Sequence, residues 1–423
     1  MRYLFSICAA NQVPTYRREG VEKPLSWTES GHSVLKLNIR HLWLMGMWPL
    51  GHSSVFKLYT AFTFTLGLWS VVESLLAVYC TLGKLEETTL QLMITSTLIC
   101  GFMKMVLFVS DPNSYNLMVR DMAGLITVQD EDSSKDPTLA AILHDSRRRA
   151  SRITMGMLLF MLSQCFVWYP IPLVVHAEDR RLPLSQHAWD NNSNYYPLSY
   201  TVQCVCGLYV SQISFALDCL FASILILVVA QLKILGERIL KLKQEVNLVE
   251  ANENPLRWDQ MPTDKHYDGM YRRLCVCIDS HQKILRFVKR VQDAMSPIAM
   301  TQFASSVVIA CMGLFQATYG EDMSVALKCA SYLPIPGGQV YLYCWAAHSV
   351  TEEAASVSTA AYSCSWVEGS ARFRHALRIL IVRAQKPLVL TAGHLYPINR
   401  GAFLSLVNAS YSYYALLGQM NKR

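Results

Sequence analysis

A chain of 423 residues that is 52% hydrophobic and only 16% charged is too apolar for an ordinary soluble protein, in which charged residues make up about a quarter. The formal net charge is +7, but the basic residues form neither a clustered arm nor a recognition motif, which excludes a nucleic-acid-binding protein. The 13 cysteines lie mostly within apolar runs and read as small buried hydrophobes. The pairs Cys204 with Cys206 and Cys275 with Cys277 lack the further ligands of a structural zinc site, so no metal or other cofactor is expected.

In chain order, residues 1–54 read as a polar N-terminal segment with one interfacial helix. Tyr3 to Ala10 is too brief an apolar run for a signal peptide, and Ser33 to Leu50 mixes Leu, Trp and Met with Lys36, Arg40 and His41, the pattern of a helix lying shallowly in a membrane surface. A span needs about 20 apolar residues. Residues 55–230 hold four: Leu58 to Cys80, Thr88 to Val109, Ile153 to Val175 and Leu198 to Leu232. The polar segment Ser110 to Arg149 separates the second from the third. The loop His176 to Pro197 carries a glycosylation sequon at Asn191.

Residues 231–292 switch pattern. Leu232, Leu235, Ile239, Leu242, Val246 and Val249 recur at alternating three and four, Tyr271 to Val291 is a second amphipathic stretch, and a Pro-containing loop from Asn252 to Asp268 lies between. These are amphipathic helices extending into water. Residues 293–365 hold spans five and six, about Met295 to Tyr319 and Pro334 to Cys364, with Pro297 expected to kink the former. Residues 366–390 read as a basic amphipathic helix and residues 391–423 as the seventh span. The fold class is therefore all-α, a polytopic membrane protein of seven transmembrane helices. Lys and Arg crowd the segments before span one and after spans two, four and six, and are sparse in the others. That bias puts the N-terminus and the amphipathic helices in the cytoplasm and the C-terminus outside.

This orientation is opposite to that of a G-protein-coupled receptor. A seven-helix chemoreceptor signalling through a cytoplasmic partner remains an alternative, as does a transporter, although no pair of Gly- or Pro-broken helices in matching halves supports the latter. No phosphate loop, H-E-x-x-H or nucleophile elbow points to an enzyme.

The last span is uncharged from Phe403 to Gln419, yet Ser405, Asn408, Ser410, Tyr411, Ser412, Ala415, Gly418 and Gln419 interrupt its Leu, Val and Phe. Side-chain polarity at membrane depth faces other helices or water, so the mixed face is helix packing or the wall of a water path. The run RAQKPLVLTAG from Arg383 to Gly393, followed by GAFLSLVNASYSYYALL from Gly401 to Leu417, resembles the C-terminal signature of the insect odorant receptors. The resemblance implies a subunit of a ligand-gated, non-selective cation channel with this inverted layout, its last helix lining the pore at Tyr411 and Ala415 with Asn408 and Gln419 flanking. It implies a heterotetramer with a common co-receptor in the plasma membrane of olfactory sensory neurons, in contact with lipid and passing monovalent and divalent cations. The short connection before span five fits the odorant-tuning subunit rather than the co-receptor.

The same resemblance puts a pocket for a small volatile odorant in the outer half of the bundle. Depth then points to Ile94 and Leu98, to Ser163, Val167 and Trp168, to Cys204, Leu208 and Gln212, and to Tyr343 and Ala347. Intramembrane charge is costly and marks Glu73, Lys104, Asp218 and the group His348, Glu352 and Glu353 as candidates for structural or gating contacts.

Overall fold

The computed structural model describes residues 25–48, 54–133, 137–175, 182–184, 194–242, 263–320 and 323–421. Among them, five helices are long and apolar enough to cross a membrane: α3 (Ser54–Thr81), α4 (Leu85–Ser110), α6 (Pro137–Trp168), α8 (Tyr196–Leu240) and the apolar part of α9 (Thr263–Tyr319). Two more reach spanning length with more polar side chains, α11 (Pro334–Ser363) and α13 (Arg400–Asn421). Together they make a seven-helix membrane bundle.

The hub is α8, which packs most extensively on α11 and α6 and also meets α4, α9 and α3. Its most apolar window is 94% buried, against 28% for α3. The exposed Leu58, Phe62, Trp69, Leu76 and Tyr79 of α3 are therefore suited to lipid. At 1.5 Å per residue the 45 residues of α8 reach about 68 Å, roughly twice the hydrocarbon thickness of a bilayer. The 57 residues of α9 reach still further, and Pro297 lies inside it without ending it.

Both helices project at the same end of the bundle. There α5 (Pro112–Ser133), the polar start of α6 and α12 (Ala371–Ala384) gather around them. On α9, Met270, Leu274, Cys277, His281, Ile284, Val288, Val291 and Met295 are all buried, a strict alternation of four and three. Arg290 pairs with Asp121 across to α5. The segment read as polar between spans two and three is thus helical, and the amphipathic stretches bury their apolar faces within this one chain. The heptad positions Val246 and Val249 and the loop from Asn252 fall largely outside the described residues, as does Asn191.

Two elements depart from the sequence reading, span three and the C-terminal stretch. The helix expected at the membrane surface, α2 (Lys36–Leu44), follows the short α1 (Trp27–His32) and packs one face on α8 and α6, with Ile39 and Leu42 fully buried while Lys36 and Leu44 are exposed. Its Asn38 donates to Ser223 Oγ of α8 at 3.0 Å and accepts from Thr154 of α6 at 3.2 Å. Span three ends early, because Pro170 removes an N–H and starts the separate α7 (Pro170–Val175). The stretch from Pro387 is no helix until Arg400. It forms a two-stranded hairpin, β1 (Thr391–Ala392) with β2 (Tyr396–Pro397), turned by Gly393 and His394 at φ 59° and 57°.

The centre of the bundle holds a buried ion pair. Lys104 of α4 donates to both carboxylate oxygens of Asp218 on α8, at 2.6 and 2.9 Å, and to Ser214 Oγ at 3.0 Å, and both charged side chains are fully buried. From α11, Gln339 Nε2 and Tyr343 Oη each donate to Asp218 at 2.7 Å. Gln302 of α9 donates to Gln339 Oε1 at 3.0 Å and accepts from Cys100 of α4 at 3.5 Å. One connected set of bonds thus joins α4, α8, α9 and α11.

Removing one member of a buried ion pair costs about 3–5 kcal/mol, because the other charge is left uncompensated, whereas neutralising both costs much less. Lys104→Met is therefore expected to abolish monodisperse protein in fluorescence-detected size exclusion. Lys104→Met combined with Asp218→Asn should recover most of it. Equal recovery of the single variant and the wild type would contradict this account.

Candidate functional site

Directly beside this polar set lies a cavity, toward the end of the bundle opposite the projecting helices. Its volume is about 100 Å³, and it opens in part to the surroundings. Met93, Ile94, Thr97, Leu98 and Cys100 of α4 form one wall, and Met161, Gln164, Cys165 and Trp168 of α6, with Tyr169 after it, form another. Gly207, Val210, Ser211, Ser214 and Phe215 come from α8, Gln302 and Ile309 from α9, and Ile335, Pro336 and Gln339 from α11. Its side chains are mostly aliphatic and aromatic with a few convergent polar groups, the composition of a site for a small apolar ligand.

Each wall follows from local sequence. On α8 the lining positions 207, 210, 211, 214 and 215 are one face at helical spacing, and Gly207 keeps that face open. A Cβ there would meet Tyr169 Oη at 2.8 Å and Leu184 Cδ1 at 3.0 Å. Pro334 stands in the first turn of α11, where its missing N–H costs nothing, and so starts the helix just above the lining residues. Before it, α10 (Met323–Tyr332) brings Tyr332 into the cavity, its ring 5.4 Å from that of Trp168 and its hydroxyl 3.1 Å from Thr97 Oγ1.

The loop after α7 supplies a cover. Leu184 N–H donates to Gln203 Oε1 at 3.0 Å, Gln91 Nε2 donates to the Leu184 carbonyl at 3.2 Å, and Gln203 Nε2 donates to Glu73 at 2.5 Å. Those bonds hold the Leu184 side chain against the cavity and account for the charge at Glu73. A smaller recess lined by Ser70, Glu73, Gln203 and Cys206 adjoins it, sharing Leu98 and Leu184.

Of the residues selected by depth, Ile94, Leu98 and Trp168 line the cavity. The rest do not. Ser163 is exposed and Val167 half-buried on the other side of α6. On α8, Cys204 lies one turn beyond the lining stripe, and Leu208 and Gln212 fall progressively to one side of it. Tyr343 and Ala347 are buried below the cavity, Tyr343 in the Asp218 set. Sequence reasoning missed the contributions of Tyr332 and Leu184, which belong to connections rather than spans. Pro334 and Pro336, which mark the start of span six, were the available signal for the α11 wall.

The positions considered for a pore all lie on α13, which packs on α9 and α11. Asn408, Tyr411 and Gln419 are exposed and Ala415 half-buried, while Ala402, Ser410 and Gly418 face inward. Gly418 packs closely there, and a Cβ would come within 2.8 Å of Tyr319 Oη. The hairpin before α13 is fastened to α9. Gln292 exchanges bonds with Thr391 at 2.7–2.9 Å, and Ser296 accepts from Gly393 and His394 at 2.9 and 2.8 Å. Arg400, at the first turn of α13, lies 3.8 Å from Glu352 of α11, and Glu353 lies 3.9 Å from Lys233.

Comparison with known proteins places this architecture. The chain superposes on the insect olfactory receptor OR5 from Machilis hrabei, in complex with eugenol, with a TM-score of 0.74 at 18% identity, covering 91% of this chain and 97% of that one. It is 28% identical over 292 residues to odorant receptor 10 of Aedes albopictus, covering 67% of this chain and 71% of the relative. It is 26% identical over 144 residues to the odorant receptor coreceptor of Anopheles gambiae, covering 34% of this chain and 30% of the relative. The sequence model of the 7tm odorant receptor family matches residues 84–411. A match over that length, on a seven-helix bundle of the same fold, establishes that the chain belongs to the 7tm odorant receptor family and is a membrane receptor rather than an enzyme.

Proposed function

We propose that this chain is the odorant-binding, tuning subunit of a heteromeric odorant-gated cation channel, completed by a common co-receptor in the plasma membrane of olfactory sensory neurons. The observation that carries the reading is the covered apolar cavity walled by α4, α6, α8, α9 and α11, in a chain of this family. A volatile odorant enters it, and α13 contributes to a central path for monovalent and divalent cations. The basic, projecting end of the bundle is cytoplasmic, the C-terminus and Asn191 are outside, and four subunits share the pore. The exposed apolar side chains of α3 meet lipid.

Binding opens the channel to the extent that the odorant prefers the open arrangement of the cavity walls. The connected bonds from Ser214 and Gln339 through Asp218 to Tyr343 join the cavity to the middle of α11. Helix α11 is in turn tied to the start of α13 by Glu352 and Arg400.

In cells without G-protein signalling, this chain together with a co-receptor is expected to give a volatile-evoked cation current within milliseconds. A current that required a cytoplasmic signalling partner would overturn the channel reading. Gly207→Val narrows the cavity and should raise the half-maximal concentration of bulky odorants by tenfold or more, an effect of about 1.4 kcal/mol, while leaving relative ion permeability unchanged. Tyr411→Ala should do the reverse, shifting ion permeability ratios with the odorant rank order preserved. A Tyr411→Ala variant that altered only the odorant profile would remove α13 from the pore.

A further inference from the structure

The polar groups of the cavity wall fall into two sets. Thr97, Cys100, Ser211, Ser214, Gln302 and Gln339 each hold a hydrogen bond within the protein. Gln164 Oε1 and Trp168 Nε1 are enclosed and hold none. Both side chains line the cavity, and they stand four residues apart on α6, so their Cβ atoms are about 5–6 Å apart on one face. One is an acceptor and the other can only donate. An enclosed polar atom left unpaired is costly, so an acceptor and a donor side by side, in a wall where those other polar groups are already paired, call for a ligand group that completes both.

Resting on the reading of this cavity as the odorant site, we propose that it selects small volatile alcohols or phenols, the hydroxyl donating to Gln164 Oε1 and accepting from Trp168 Nε1. A hydroxyl is the smallest neutral group that does both. Ketones, aldehydes and esters only accept, so they satisfy Trp168 and leave Gln164 Oε1 unpaired. Hydrocarbons satisfy neither. Of the buried cations near the wall, Lys104 is committed to Asp218 and Lys328 stands over the Trp168 ring, its Nζ 5.8 Å from the centroid, so a carboxylate would have to draw one of them from its present contact.

The test is a series of equal carbon number, a primary alcohol with the matching methyl ketone, methyl ether and alkane, applied to the chain co-expressed with a co-receptor. The alcohol is expected to activate at about tenfold lower concentration than the ketone, the worth of about one buried hydrogen bond. Gln164→Leu should erase that difference by weakening the alcohol relative to the ketone, with surface labelling of the variant showing that it is folded. Trp168→Phe keeps the ring and removes the donor, so it should weaken alcohol and ketone together and leave the alkane unaffected. Ketone or alkane acting as well as the alcohol on the unaltered receptor would overturn the proposal, as would an alcohol advantage that survives Gln164→Leu. Either result leaves the odorant-receptor reading standing. Silence toward every compound, with the protein at the cell surface, would instead count against that reading.

Discussion

A lysine and an aspartate in the middle of an apolar bundle set the geometry of this protein. Burying each ion costs several kcal/mol, and the pair is tolerable only if the attraction is close and the remaining bonding capacity is filled. Here it is filled from three sides. Asp218 receives Lys104 from α4 and Gln339 and Tyr343 from α11, and Lys104 spends a further proton on Ser214. Because one residue along a helix turns a side chain by about 100°, these bonds can form at only one relative rotation of α4, α8 and α11. The cavity inherits its shape from that constraint, since Ser214 and Gln339 belong to both. It is apolar above and polar below for the same reason, with the charge spent on structure rather than offered to a ligand.

Much of this was legible in the sequence. Seven apolar runs, their separation by basic segments, and the three-four alternation on α8 and α9 are local patterns, and the helices lie where those patterns put them. What was missed was non-local. Helix α2 carries Lys36, Arg40 and His41 and is amphipathic, and the bond from Asn38 to Ser223, 185 residues away, fastens its buried face to α8. No local pattern encodes such a partner. The cavity face of α8 could not be phased either, because a helix that is apolar all round has no preferred side in its sequence. The stripe through Cys204, Leu208 and Gln212 has the right period, and the choice between it and the stripe through Gly207, Ser211 and Ser214 is made by the helices across from it. On α11 the error was one of depth. Tyr343 lies one turn below Gln339, close enough to serve the ion pair and too deep to line the cavity.

The C-terminal segment was legible as a resemblance before it was legible as a structure. The residues from Lys386 to Gly393 are not a helix, and a non-helical backbone near a membrane must find its hydrogen bonds in protein. Gln292 and Ser296 of α9 supply them, and the left-handed turn at Gly393 and His394 reverses the chain in four residues. That explains why a short run of small and turn-forming residues can be so recognisable: it fixes the position and tilt at which α13 begins.

Helix α13 then has one side against its own chain and one side bare. Its serines do not decide what the bare side faces, because Ser405 and Ser412 return their protons to the helix backbone. Asn408, Tyr411 and Gln419 do. Each carries a polar group on the exposed side, and a carboxamide halfway along a spanning helix is expensive against hydrocarbon. Lipid is a poor neighbour for those three side chains, while Leu404, Val407, Leu416 and Met420, also exposed on α13, suit it. A single helix cannot enclose a water path, so the pore proposed along α13 needs that helix from more than one chain.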